Sequence, residues 1–129
     1  MADHGNVVVV TSKGHFDAQI NEAKEADKIV VIDFTATWCG PCRFISPIFV
    51  ELSKKFSNLV FLKVDVDDQA DVAKQYSVEA MPTFLFLKNG DEVGKIVGAD
   101  KKALEEKVEE LASATSAAPA APAATVASA

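Results

Sequence analysis

The chain has 129 residues, of which 49% are hydrophobic, and a formal net charge of −6 at pH 7. This length fits a single domain with an ordinary hydrophobic core. The acidic balance and the lack of a basic patch argue against nucleic-acid binding. No apolar run approaches the roughly 18 residues of a membrane span, and the first residues do not resemble a secretory signal peptide. We therefore expect a cytoplasmic protein that does not bind membranes.

The first half of the chain alternates between strand and helix patterns. Val7 to Val10 predicts a short strand, and Ser12 is a suitable N-cap for the helix that follows. Residues 28–34 form a β-branched apolar run that is typical of a central strand buried on both faces. A helix is predicted from about Cys42 to Phe56, with a kink at Pro47. Six apolar residues are expected to mark one side of that helix: Phe44, Ile45, Ile48, Phe49, Leu52 and Phe56.

The second half begins with a strand over Leu59 to Val66 and a short helix over Asp68 to Tyr76. Two further strands follow, over Thr83 to Leu87 and Glu92 to Val97. Asn89-Gly90 between them is a strong hairpin signal. The sequence therefore predicts a parallel unit followed by an antiparallel edge.

A last helix begins near Asp100, so the element order is β-α-β-α-β-α-β-β-α. Strand–helix alternation predicts an α/β fold, with a central mixed sheet flanked by helices on both faces. From Ser113 onward the chain contains only Ala, Ser, Thr, Pro and one Val. We expect a folded domain over residues 1–112 and a disordered tail over residues 113–129.

The only two cysteines lie in the segment Trp38-Cys39-Gly40-Pro41-Cys42, at a predicted strand–helix junction. The thiolate is the reactive form of cysteine, and a helix N-terminus favours it. We expect Cys39 to be the exposed nucleophile with a lowered pKa, and Cys42, one turn on, to be more buried. Gly40 and Pro41 would fix the turn, and Trp38 would shield one side of the pair.

Three other interpretations of the cysteine pair are less favoured. A zinc site needs two more ligands, but no other cysteine exists and His4 and His15 lack ligand spacing. A structural disulfide across so short a loop would stabilise the fold only weakly. Chance spacing does not explain a position at a strand–helix junction. We therefore expect a redox-active dithiol and no metal.

Residues 7–112 resemble a thioredoxin. The resemblance is carried by the segment from Asp33 to Cys42, by Pro47, by Met81-Pro82-Thr83 and by Gly98-Ala99. It implies the thioredoxin fold and a thiol–disulfide oxidoreductase that reduces disulfides in target proteins. It also implies re-reduction by thioredoxin reductase, a monomer, and no bound cofactor, because two sulfurs carry the electrons. Within the family, residues 35–37 resemble eukaryotic cytosolic forms, particularly the plant h type.

The resemblance also implies roles for individual residues near the dithiol. Asp33 would be buried behind the disulfide and assist proton transfer at Cys42, and burial would raise its pKa. Lys63 would temper the ionisation of Asp33. For these two residues, a strand-end aspartate reaching water and a solvated lysine remain the alternatives.

Substrate docking is the second set of implied roles. The Met81–Pro82 bond would be cis and would leave the Met81 backbone free to pair with an extended substrate. Gly98 and Ala99, together with Trp38, would belong to a shallow apolar docking surface. Ordinary loop and core packing is the alternative.

Two other functions compete with a reductase. A disulfide oxidase or isomerase often carries His in place of Pro41, so Pro41 favours a reductase. A binding or holdase module would use the apolar surface without turnover, and the presence of both cysteines argues against it.

Overall fold

The computed structural model describes residues 4–116 of the chain. Over this range, five strands and four helices follow the predicted order. The strands are β1 (Val7–Val9), β2 (Val30–Thr35), β3 (Val60–Asp65), β4 (Thr83–Lys88) and β5 (Asp91–Val97). The helices are α1 (Lys13–Glu25), α2 (Gly40–Lys55), α3 (Ala70–Gln75) and α4 (Lys101–Ser116).

The strands form one mixed sheet in the order β1-β3-β2-β4-β5. β3 is parallel to both β1 and β2, whereas β4 is antiparallel to β2 and to β5. All six residues of β2 are buried, as expected of a central strand that has helices on both faces. The predicted fold class and the antiparallel closing hairpin are confirmed.

Each face of the sheet carries its own hydrophobic cluster. On one face, Ile45 and Phe49 of α2 pack with Leu104 and Val108 of α4. On the other face, residues of α1 and α3 pack with alternate residues of β2: Phe16, Ala23, Val72, Ala73, Val30, Ile32 and Phe34. Because side chains alternate along a strand, Asp33 lies on the face that α2 and α4 cover. This alternation places the Asp33 carboxyl on the same side of the sheet as the cysteine-bearing helix.

Local signals in the sequence set several element ends. The Ser12 hydroxyl oxygen accepts a hydrogen bond from the His15 N–H at 3.0 Å and caps α1. The Asp100 carboxylate does the same for α4, accepting from the Ala103 N–H at 3.0 Å. Asn89 and Gly90 both have positive φ angles, 53° and 84°, which a two-residue hairpin requires. These three predictions are confirmed.

Three helices differ from the sequence prediction. α3 covers Ala70–Gln75 rather than Asp68 to Tyr76, because residues 66–69 form turns. α2 begins at Gly40 rather than near Cys42, because Pro41 fits the first turn of a helix. Within α2, Phe44 is 60% exposed rather than on the buried side. It lies 100° around the helix from the buried Ile45, and the sheet covers only one face. α4 continues to Ser116, four residues past the predicted domain end, because Ala and Ser are compatible with a helix. The rest of the predicted tail lies outside the described residues.

Candidate active site

The N-terminus of α2 holds the cysteine pair. Cys39 is the N-cap residue of the helix, and it forms a disulfide with Cys42 across a Cα–Cα distance of 5.3 Å. The N–H of Cys42 donates to the Cys39 Sγ at 3.2 Å. The free N–H groups and the dipole of the helix favour negative charge at Cys39 when the pair is reduced. This geometry suits a dithiol whose first sulfur is the more reactive one.

Both cysteines are buried in this disulfide form. Cys39 is 5% exposed and Cys42 is 3% exposed, so the prediction of an exposed Cys39 is wrong. The reason is local packing, because Ala36 lies in the same cluster and Val66 and Met81 pack against it. The burial limits access to the disulfide to partners that fit its immediate surroundings.

The loop before β4 forms one wall of the site. The Met81–Pro82 peptide bond is cis, as the resemblance implied, and the Met81 carbonyl oxygen lies 3.6 Å from the Cys39 Sγ. The N–H of Gly98 donates to the Pro82 carbonyl at 2.8 Å and ties this loop to the end of β5. Gly98 has a φ of 106°, a backbone conformation that favours glycine. Ala99 follows it and is half-buried.

The predicted turn residues Gly40 and Pro41 and the predicted docking residue Trp38 are all exposed. The exposed fraction of Trp38 is 64%. The Trp38 Nε1–H donates to the Asp67 carboxylate at 2.9 Å, which holds the ring against the loop after β3. Asp65 in turn accepts from the N–H of Asp67 at 2.8 Å. An exposed aromatic ring anchored at its polar atom offers a flat surface to a partner.

Asp67 is a site residue that the sequence analysis missed. It belongs to an acidic segment, Asp65, Asp67 and Asp68, that begins at the last residue of the parallel strand β3. β2 and β3 are adjacent and parallel, so their carboxyl ends share one edge of the sheet, where Trp38 also lies. Because the segments after β2 and β3 are neighbours at this edge, a contact between Trp38 and Asp67 could have been predicted from the sequence.

Asp33 is a buried carboxyl in the middle of β2. It is 2% exposed, and its Oδ1 has no hydrogen-bond partner within residues 4–116. Burial raises the pKa of Asp33 from 3.8 to about 7, and the positive charge of Lys63 partly opposes this. Lys63 is the register partner of Asp33 on β3. Near neutral pH this carboxyl is therefore poised between its two protonation states.

A small cavity opens beside Cys42. It has a volume of about 280 Å³. Its lining comes from the end of β2, the first turns of α2 and the strand β3: Thr35, Ala36, Thr37, Cys42, Arg43, Ser46, Lys63 and Asp65. The Arg43 side chain donates to the Thr37 carbonyl at 3.0 Å, which links two of these lining residues. The cavity is large enough for several water molecules and brings Cys42 and Lys63 to a common space.

Residues 4–116 contain neither a metal-binding cluster nor a membrane-spanning helix. This part of the chain holds no group of three or more His, Cys, Asp or Glu side chains arranged to bind a metal. None of its helices is both long and apolar enough to cross a membrane.

The sequence of the chain is similar to that of proteins in one known family. The model of the thioredoxin family matches residues 7–110. A "Thioredoxin H-type" of Oryza sativa subsp. indica is 56% identical over 114 residues, which cover 88% of this chain and 93% of that protein. One from Picea mariana is 56% identical over 110 residues, covering 85% and 88%.

Solved structures agree with these relatives. Thioredoxin NaTrxh from Nicotiana alata superposes with a TM-score of 0.82 at 40% identity, covering 86% of this chain and 96% of that one. A poplar wild-type thioredoxin h superposes with a TM-score of 0.80 at 42% identity, covering 82% and 96%. With a Cys-Gly-Pro-Cys disulfide at the start of α2, the chain belongs to the thioredoxin family of disulfide oxidoreductases and is similar to its plant H-type members.

Proposed function

We propose that this protein gives electrons to disulfides in target proteins and is re-reduced by a thioredoxin reductase. The observation that carries the proposal is the Cys39–Cys42 disulfide at the N-terminus of α2, against the Met81 carbonyl. A disulfide between residues one helical turn apart can open and close without rearranging the fold. Two electrons are then stored in two sulfur atoms, and no bound cofactor is needed.

The first step is attack by the Cys39 thiolate on a target disulfide. A bond forms between the Cys39 Sγ and one target sulfur, and the other target sulfur leaves as a thiolate. The helix N-terminus stabilises the attacking thiolate, while Gly40 and Pro41 fix the geometry of the turn and tune the redox balance. The product is a mixed disulfide that covers the entrance to the site.

The second step is attack by Cys42 on the Cys39 sulfur of that mixed disulfide. Cys42 first loses its proton to Asp33, and its sulfur then displaces the second target thiolate. The target has gained two electrons, and the protein leaves with a Cys39–Cys42 disulfide. Asp33 suits the role because it is buried on the α2 side of the sheet with a pKa raised to about 7 by burial. Lys63 keeps part of the Asp33 population ionised, and water in the cavity beside Cys42 gives the proton a route to solvent.

Docking of the target uses the surface around the disulfide. An extended target segment pairs with the backbone of Met81, as in strand addition. The surface beside this segment is formed by Pro82, Gly98 and Ala99, and Trp38 adds an aromatic ring to it. The carbonyl of Met81 close to Cys39 supports this arrangement, because a paired segment brings its sulfur to the nucleophile.

The cellular setting follows from charge and chemistry. We infer that the protein works as a cytoplasmic monomer whose partners are disulfide-containing proteins and a thioredoxin reductase. A net charge of −6 supports the view that it does not bind nucleic acid. A reducing compartment fits a dithiol that donates electrons.

The proposal is tested by a protein-disulfide reduction assay with NADPH and thioredoxin reductase as the electron source. The wild-type protein should turn over, and Cys39→Ser should be inactive because the attacking thiolate is gone. Cys42→Ser should accumulate mixed disulfides with its targets, because the resolving thiol is missing. Wild-type turnover by Cys39→Ser would refute the mechanism. Oxidation of reduced substrates in preference to reduction of oxidised ones would instead support an oxidase.

A further inference from the structure

A groove between α2 and α4 takes no part in the mechanism above. Its volume is about 380 Å³. Pro47, Ile48 and Leu52 of α2 contribute its apolar lining, and Lys101 and Glu105 of α4 stand opposite. Leu52 is buried, Ile48 is half-buried and Pro47 is exposed. Residues 4–116 thus leave an apolar depression open on the side of the sheet that bears the disulfide.

One exposed stripe of α2 leads from the redox site into this groove. Pro41, Phe44 and Ile48 follow one another at spacings of three and four residues, so they lie on one face of the helix. Phe44 is 60% exposed, which is high for a large apolar side chain with no role in the core. The stripe starts beside the disulfide at Pro41 and ends at Ile48, inside the groove.

A second connection runs through the loop after β5. The Gly98 N–H is bonded to the carbonyl of Pro82 in the loop beside Cys39. Ala99 and Ile48 both pack against the same hydrophobic cluster, and Lys101 at the groove begins α4 two residues later. The groove is therefore continuous with the surface that any disulfide target has to cover in order to reach the sulfurs.

We propose that the groove receives an apolar side chain of the disulfide-containing target itself. Along α2, at 1.5 Å per residue, Ile48 and Leu52 lie about 14 and 20 Å from Cys39. An extended target segment covers that span in about four to six residues. The proposal rests on the proposed function and adds a substrate preference: an apolar residue at that distance from the attacked cysteine.

The charges at the groove explain why the favoured side chain is apolar rather than charged. The lining includes two cations, Lys55 and Lys101, and two anions, Glu51 and Glu105. Opposite charges in equal number give no net attraction to a charged side chain, and such a side chain would lose hydration on entry. Burial of an apolar side chain on Pro47, Ile48 and Leu52 remains favourable.

The test compares two synthetic peptides with a central cysteine joined by a disulfide to a nitrothiophenolate chromophore. One peptide carries Leu, the other Ser, at the positions about four to six residues on either side of the cysteine. The reduced protein releases the coloured thiolate as Cys39 bonds to the peptide sulfur. We expect a rate constant about tenfold higher for the Leu peptide, the value of burying one such side chain.

Variants of the protein show which residues cause the difference in rate constant between the two peptides. Pro47→Ser and Ile48→Ala, which each remove part of the apolar lining, should bring the Leu-to-Ser ratio of rate constants close to one. Val9→Ser, which changes a 43% exposed valine on β1, should keep the wild-type ratio. Since Pro47 is exposed, Pro47→Ser decides the matter even if Ile48→Ala unfolds.

Two results would overturn the proposal. A wild-type ratio near one would show that the groove confers no preference, and a tenfold ratio retained in Pro47→Ser would place the preference elsewhere. Failure of the reduced protein to release chromophore from either peptide would instead refute the proposed function, and the groove proposal with it.

Discussion

Asp33 is the residue whose environment differs most from that of a free side chain. It is buried, its Oδ1 lacks a hydrogen-bond donor within the described range, and desolvation raises its pKa to about 7. The folded protein therefore holds a proton on Asp33 between about pH 4 and 7, where the unfolded chain has lost it. In this range the unfolded chain binds fewer protons than the folded protein, so stability decreases as pH rises. The stabilisation from protonated Asp33 is therefore fully present below about pH 4 and is lost as pH rises to about 7.

Replacing Asp33 with Asn should abolish this fall in stability. At pH 8 the free energy of unfolding of Asp33→Asn should exceed that of the wild type, by an amount on the order of 4 kcal/mol if desolvation alone sets the difference. Between pH 4 and 7 its stability should change less steeply than that of the wild type. Denaturant unfolding of the oxidised proteins at several pH values measures both effects. Asp91→Asn, at an exposed aspartate of β5, is the control, and an unchanged slope in Asp33→Asn would contradict the assignment.

The same carboxyl should shape the second step of the reaction. Only ionised Asp33 can accept the Cys42 proton, so release of the target thiol from the mixed disulfide should speed up as pH rises through about 7. Asp33→Asn should lose this inflection and slow the step by about 100-fold, a typical value for a general base. Single-turnover release of the target thiol, measured from pH 5.5 to about 8.5, reports it. A wild-type profile in Asp33→Asn would remove Asp33 from the mechanism.

At the scale of elements, two loops complete the site that the β2–α2 junction begins. The cis Met81–Pro82 loop and the β5–α4 loop meet through the Gly98 N–H and the Pro82 carbonyl. The chain can make this contact because Gly98 adopts a φ of 106°. An added Cβ at Gly98 would meet no described atom within 4 Å, so backbone conformation rather than space requires glycine there.

Gly98→Ala should therefore destabilise the protein by about 1 to 2 kcal/mol, the usual penalty for a side chain at such a φ angle. Gly14→Ala is the matched control. Gly14 lies in α1, and an added Cβ would come only within 3.9 Å of the Ser12 Oγ. Alanine should stabilise the helix there by about 0.5 kcal/mol. Urea unfolding of both variants separates the two effects, and equal stabilities would show that the Gly98 backbone relaxes freely.

The elements themselves were largely predictable from local patterns. The buried run of β2, the caps at Ser12 and Asp100 and the Asn89-Gly90 turn each depend on neighbours in sequence. The exposure of Phe44 could not be predicted from the local pattern, because α2 carries more apolar residues than one face of a helix can bury. Burial of Cys39 depends on Met81, and the anchoring of Trp38 depends on Asp67. Such contacts between distant segments are fixed by the packed fold and not by local sequence.

At the scale of the whole molecule, the redox site and the far end of α4 belong to the same side of the sheet. α2 and α4 share one hydrophobic cluster that includes Phe49 and Leu111. Ala112, just before the last described turn, also belongs to this cluster: it is buried, and its carbonyl accepts from the Asn58 side chain at 3.1 Å. A change at the end of α4 therefore acts on the stability of the body that holds the disulfide.

Two shortened chains test where that body ends. A chain ending at Ser116 should keep the wild-type reductase activity and melt within about 2 °C of the full chain, because residues 117–129 offer almost no large apolar side chain to pack.

A chain ending at Ala112 should melt about 4 to 8 °C lower, the shift expected for a loss of about 1 kcal/mol. It loses the last helical turn and places a carboxylate on the buried Ala112, at the negative end of the helix dipole. Equal melting of both shortened chains would put the end of the folded body at Ala112. A large loss of activity in the chain ending at Ser116 would instead give residues 117–129 a part in target binding, since the sheet, the disulfide and the groove are all retained in that chain.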